Sequence, residues 1–70
     1  MVEVIESFGK MEDRHAVVFK SFGKLKINFY EDFNFCGETT VKTKSKYYAF
    51  SLAENWSGYI FEKNKIPTEI

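Results

Sequence analysis

From Leu25 to Phe35 the apolar positions recur with a period of two. Leu25, Ile27 and Phe29 alternate with Lys26, Asn28 and Tyr30, the pattern of a strand with one buried face. Phe33 and Phe35 continue the apolar side, and Glu31 is its one exception. The preceding run, His15 to Ser21, is rich in Val and Phe and reads as a second strand. Ser21-Phe22-Gly23-Lys24 joins the two, because Gly23 takes positive φ without steric cost. A three-residue loop, Phe22-Gly23-Lys24, predicts Phe19 opposite Ile27, Val17 opposite Phe29 and His15 opposite Glu31. This register gathers Val17, Phe19, Ile27 and Phe29 on one face. A two-residue Gly23-Lys24 loop instead sets Lys20 against Ile27, so the longer loop is preferred.

The flanking segments extend this hairpin into a sheet. Val2 to Phe8 reads as a first strand with Val2, Val4 and Phe8 on one side and Ile5 on the other. Lys10 to Arg14 is a polar connection. The string SFGK occurs at 7–10 and again at 21–24, and each copy closes a strand with Phe and turns at Gly. Gly37 marks a break or bend, and Thr39 to Thr43 favours another extended segment because Thr and Val crowd it. Ser45 to Phe61 admits two readings. As β, Tyr47 to Leu52 and Tyr59 to Glu62 are strands; as α, Tyr48, Leu52, Trp56 and Tyr59 recur at helical spacing behind a Ser45 cap. The β reading is preferred. Pro67 makes the C-terminus a tail or edge segment.

The expected fold is therefore mainly β, an all-β domain built as a small curled antiparallel sheet or open barrel of about five strands. A short helix near residues 46–57 is the alternative. Residues 1–66 form one domain and 67–70 a C-terminal tail.

Composition adds three constraints. Seventy residues make one domain near the size at which core burial is marginal. Eight Phe, four Tyr and one Trp offset this with large apolar area and leave aromatic surface for another subunit to cover. Ten basic and ten acidic residues balance to zero, so no net field draws the whole molecule to nucleic acid or an anionic membrane. Cys36 is the lone cysteine, which excludes an internal disulfide and suits a reducing compartment. The N-terminus lacks a basic region followed by an apolar stretch, and no apolar run is long enough to span a membrane. The expected setting is cytoplasmic.

Candidate chemistry is sparse. His15 and Cys36 have no ligand spacing for zinc and no sequence context for a nucleophilic pair, and His15 is expected to pair with Glu31. Adjacent carboxylates at Glu12-Asp13 and Glu31-Asp32 point to opposite faces of an extended chain. No catalytic residue, cofactor or metal site is expected, and the chain reads as a non-enzyme. Tyr47, Tyr48, Trp56 and Tyr59 are the expected protein-binding residues, since Tyr and Trp join apolar contact to a hydrogen-bonding group. The favoured function is a small protein-binding module that modulates or inhibits a larger protein, with homodimerisation as a further expectation. The alternative is single-stranded nucleic-acid binding. A strand over Thr40 to Lys46 would place Lys42, Lys44 and Lys46 about 6.6 Å apart on one side, with Tyr30 among the neighbouring rings for stacking on bases.

Overall fold

The computed structural model describes residues 1–42 and 46–70. Four strands, β1 (Val2–Gly9), β2 (Arg14–Ser21), β3 (Lys24–Glu31) and β4 (Asn34–Val41), form an open antiparallel sheet in sequential order. One helix, α1 (Lys46–Ser57), packs across one face of this meander, and a single 3-10 turn follows at Lys63–Lys65. The chain is thus a small, mainly β domain as expected. The curled, five-stranded and all-β expectations are corrected: the sheet is open, and the described residues form four strands and the helix that stood as the alternative for residues 46–57.

The two inner hairpins turn through residues with positive φ. At the β2–β3 tip, Phe22 (φ 51°) and Gly23 (φ 79°) form the whole loop, and Ser21 pairs directly with Lys24. Two consecutive positive φ values match the twist of a two-residue hairpin loop. The loop therefore contains neither the three residues preferred from sequence nor the Gly23-Lys24 pair. Each partner shifts by one, so that Val18 faces Ile27, Ala16 faces Phe29 and Val17 faces Asn28. Parity then places Ala16, Val18, Ile27 and Phe29 under the helix, while Val17 and Phe19 look the other way. Asp32 (φ 52°) and Phe33 (φ 69°) make the same kind of loop between β3 and β4. A non-glycine residue in this region costs about 1–2 kcal/mol.

In β1 the register slips between Val4 and Glu6. This bulge carries Ile5 to the helix side along with Phe8, and both pack against the core, whereas Val4 pairs with Phe19 on the opposite face. The sidedness read from strict alternation was wrong for this reason. Gly37 lies inside β4 rather than at a break, and Ile66 covers it at 3.3 Å from where a side chain would begin.

The helix is held by packing rather than by charge at its ends. Its first turn has no acidic residue and its last has no basic one. Ala49, Ala53 and Trp56 face the sheet and are buried, and the two alanines let the backbone approach closely. Trp56, fully enclosed, meets Phe29 edge-on at 5.4 Å, and its indole N–H donates to the Tyr30 carbonyl at 3.0 Å. The C-terminus closes with Ile60 N–H donating to the Asn55 carbonyl (2.9 Å) and Tyr59 N–H to the Trp56 carbonyl (3.1 Å). That pattern needs a left-handed residue, usually Gly. Here Tyr59 supplies it with φ 61°.

Arg14 ties these parts together. Its guanidinium lies 4.0 Å from the Trp56 ring centre and 4.3 Å from that of Tyr59. Nε donates to Glu31 at 3.0 Å and Nη1 to the Phe61 carbonyl at 2.6 Å. The expected His15–Glu31 pair is replaced by Arg14–Glu31, as the one-residue register shift requires. The last residues run beside β4, with Thr40 N–H donating to Thr68, Lys42 N–H to Ile70, and Ile70 N–H back to Thr40.

Candidate functional site

Among the described residues, no layer covers the sheet face away from α1. Alternation brings His15, Val17 and Phe19 from β2 and Lys26, Asn28 and Tyr30 from β3 to this face. Val2 and Val4 join them from β1 and Phe35 and Glu38 from β4. Val2, Val4, Val17, Phe19, Asn28 and Tyr30 line a cleft of about 430 Å³ there. Tyr30 extends the apolar surface to Phe35, their rings meeting edge-on at 5.8 Å. Val4 is 64% exposed and Phe35 59%. The result is a diagonal stripe, Val4 to Phe19 and Val17 to Tyr30 to Phe35, across an otherwise mixed surface.

Two polar atoms within this face are enclosed by protein and have no hydrogen-bond partner among the described residues: Asn28 Oδ1 and His15 Nδ1. The Asn28 amide nitrogen donates to the Tyr30 hydroxyl at 3.5 Å, and Lys26 pairs with Glu38 at 3.4 Å beside it. An enclosed acceptor without a donor carries a cost to the fold. Only the one-residue shift in register exposes this set, so the sequence pattern, which assigned Val17 and Phe19 to the core, missed it.

The residues expected to bind protein do not form one surface. Trp56 is a core residue with no exposed area. Tyr47 and Tyr48 project from the first turn of α1 and are exposed, while Tyr59 lies beyond its other end. The Tyr59 ring covers Arg14 and its hydroxyl donates to Asp13. The expected lysine row also dissolves, since β4 ends at Val41 and Lys46 begins the helix. Lys44 lies outside the described residues. Lys42 and Lys46 nevertheless line one groove with Lys20 and Lys24. Tyr30 is not among the residues of that groove and belongs to the uncovered face.

His15 and Cys36 are separated by the sheet: His15 tilts against Tyr30 on the uncovered face, and Cys36 packs toward the core side. Among the described residues, no three His, Cys, Asp or Glu side chains converge to hold a metal ion. No described helix is long and apolar enough to cross a membrane. Glu31 is the one titratable group with a distinct perturbation among the described residues. The hydrogen bond from Arg14, and then that from Lys63, holds its carboxyl below the ordinary carboxylate value. This pair fixes structure under the helix terminus and does not face the uncovered cleft. Compared with protein-family models, curated proteins and solved structures, the chain matches none.

Proposed function

We propose that this chain is a non-catalytic protein-binding module that works as a homodimer, two copies packing the uncovered faces of their sheets together about a two-fold axis. The observation that carries this reading is the apolar stripe from Val4 to Phe35. A two-fold interface must be complementary to itself. An apolar stripe satisfies that condition. Lys26 and Glu38 put both signs of charge on the same face, and the chain's zero net charge sets no repulsion between copies.

The dimensions fit a small interface. Four strands of eight residues span roughly 500 Å² in projection, and side-chain relief raises this toward the roughly 600–800 Å² per partner of a small specific complex. The exposed edge is less suited to association. Strand β1 is bulged at Ile5 and carries Glu3 and Glu6, both of which oppose strand addition. We place the protein in the cytoplasm, where the free Cys36 thiol stays reduced.

Sedimentation equilibrium from low to high micromolar concentration tests the proposal. The wild type is expected to approach twice its 8.2 kDa chain mass, and Val4→Lys and Phe35→Lys to remain folded monomers. A wild-type monomer at the highest concentration would sink the proposal, as would dimers of both variants.

A further inference from the structure

We infer that the end of the sheet nearest the helix start binds single-stranded nucleic acid, with phosphates in a lysine-lined groove and a base stacked on Phe22. The groove, about 470 Å³, is lined by Lys20, Lys24, Leu25, Val41, Lys42 and Lys46. These residues come from the ends of β2 and β4, the start of β3 and the first position of α1. Of its four lysines only Lys42 is ion-paired among the described residues, with Glu69 at 2.9 Å. Glu12, Asp13 and Asp32 sit in loops at the far end of the strands, while at this end Glu3 faces Lys20 and Glu69 pairs with Lys42, so the four lysines exceed these two carboxylates. Zero net charge therefore conceals a basic end, which neither the net charge nor a lysine row along one strand describes.

Phe22 is an independent observation. It occupies the β2–β3 tip between Lys20 and Lys24, in the strained left-handed region at φ 51°, with 86% of its surface exposed. Phe33 holds a similar strained, exposed position beside Glu31 and Asp32, but Phe22 is the one flanked by lysines, and that setting points to a role outside the fold. An exposed ring flanked by cations is the arrangement that holds an unpaired base while its backbone follows the charge. Duplex DNA offers no free base face to such a ring. A bilayer would meet protruding cations, whereas these lysines line a groove together with Leu25 and Val41. The site shares no residue with the cleft on the uncovered sheet face.

Fluorescence anisotropy with labelled oligodeoxythymidine tests the inference, with a labelled duplex and anionic phosphatidylserine vesicles as parallel arms. If all four lysines meet phosphates, affinity falls about 50-fold between 50 and 200 mM salt, and each lysine replaced by glutamine lowers the slope by about 0.7. Phe22→Asn keeps a residue that tolerates positive φ and is expected to weaken binding roughly fivefold or more without lowering the melting temperature. A merely structural Phe22 would not separate those two readouts. Absence of binding at low salt overturns the inference. So does equal affinity for duplex, binding to vesicles alone, or affinity unchanged in both the lysine and Phe22→Asn variants.

Discussion

Replacing Arg14 is expected to remove much of the stability of the fold. Its side chain is 8% exposed, and it supplies donors to the Phe61 and Trp56 carbonyls at 2.6 and 3.4 Å and to Glu31 at 3.0 Å. Arg14→Ala leaves these acceptors without their partner, at about 1–3 kcal/mol for a buried group. It also empties the slot between the Trp56 and Tyr59 rings, where each cation–π contact contributes about 0.5–2 kcal/mol. Because these losses are not additive, about 3–5 kcal/mol is the expected total. A chain of this length has roughly 4–10 kcal/mol to lose. Arg14→Lys separates charge from shape: the ammonium keeps the charge but has neither the planar stacking surface nor the fork that reaches two acceptors. It should cost about 2 kcal/mol. Urea unfolding followed by far-ultraviolet circular dichroism measures both, and the lysine variant keeps the test informative if the alanine variant does not fold. A lysine variant within about 0.5 kcal/mol of wild type would refute the reasoning, since that is the range of ordinary surface substitutions.

Three further outcomes follow from the backbone and the Arg14–Glu31 pair. Phe33→Gly should stabilise by about 0.5–1 kcal/mol, a melting-temperature rise of a few degrees, because Phe33 is 65% exposed at φ 69° and glycine relieves that strain at a smaller entropic cost. Gly9→Ala should destabilise by at least about 2 kcal/mol in urea titration, since Gly9 has φ 81° and a Cβ would fall 2.0 Å from the Arg14 carbonyl oxygen. Glu31 ionises more readily folded than unfolded, so its contribution is fully present above the ordinary carboxylate value and is lost as pH falls through the lower folded value. Melting curves between neutral and strongly acidic pH should show that loss, and it should be weaker in Arg14→Ala.

Strand β3 and its core face were legible from alternation and β2 from its Val and Phe content, but the facing of β2 was not. Sequence reasoning expects glycine or asparagine wherever φ is positive, and here Phe22, Phe33 and Tyr59 occupy such positions. Reading Phe22 as one of three loop residues moved the hairpin by one and turned Val17 and Phe19 inward. The bulge at Ile5 did the same for β1, since an inserted residue leaves no mark in a hydrophobic pattern. The helix was visible only as an alternative because its buried stripe is Ala49, Ala53 and Trp56, in which alanine carries little hydrophobic weight beside the exposed Tyr47 and Tyr48. Tyr59 keeps a left-handed position that glycine would take because its ring covers Arg14. Of the candidate site, the sequence indicated Tyr30 and the lysines at 42 and 46 but not their neighbours. Those neighbours depend on register and on strand ends, which local composition does not encode.

The homodimer through the uncovered sheet face is tested most directly by isotope-filtered nuclear Overhauser spectroscopy on an equal mixture of labelled and unlabelled protein. Contacts between chains are predicted among Val4, Tyr30 and Phe35. A dimer whose intermolecular contacts arise instead from Tyr47 and Tyr48 on α1, or a sample with no intermolecular contacts at high micromolar concentration, would contradict the account.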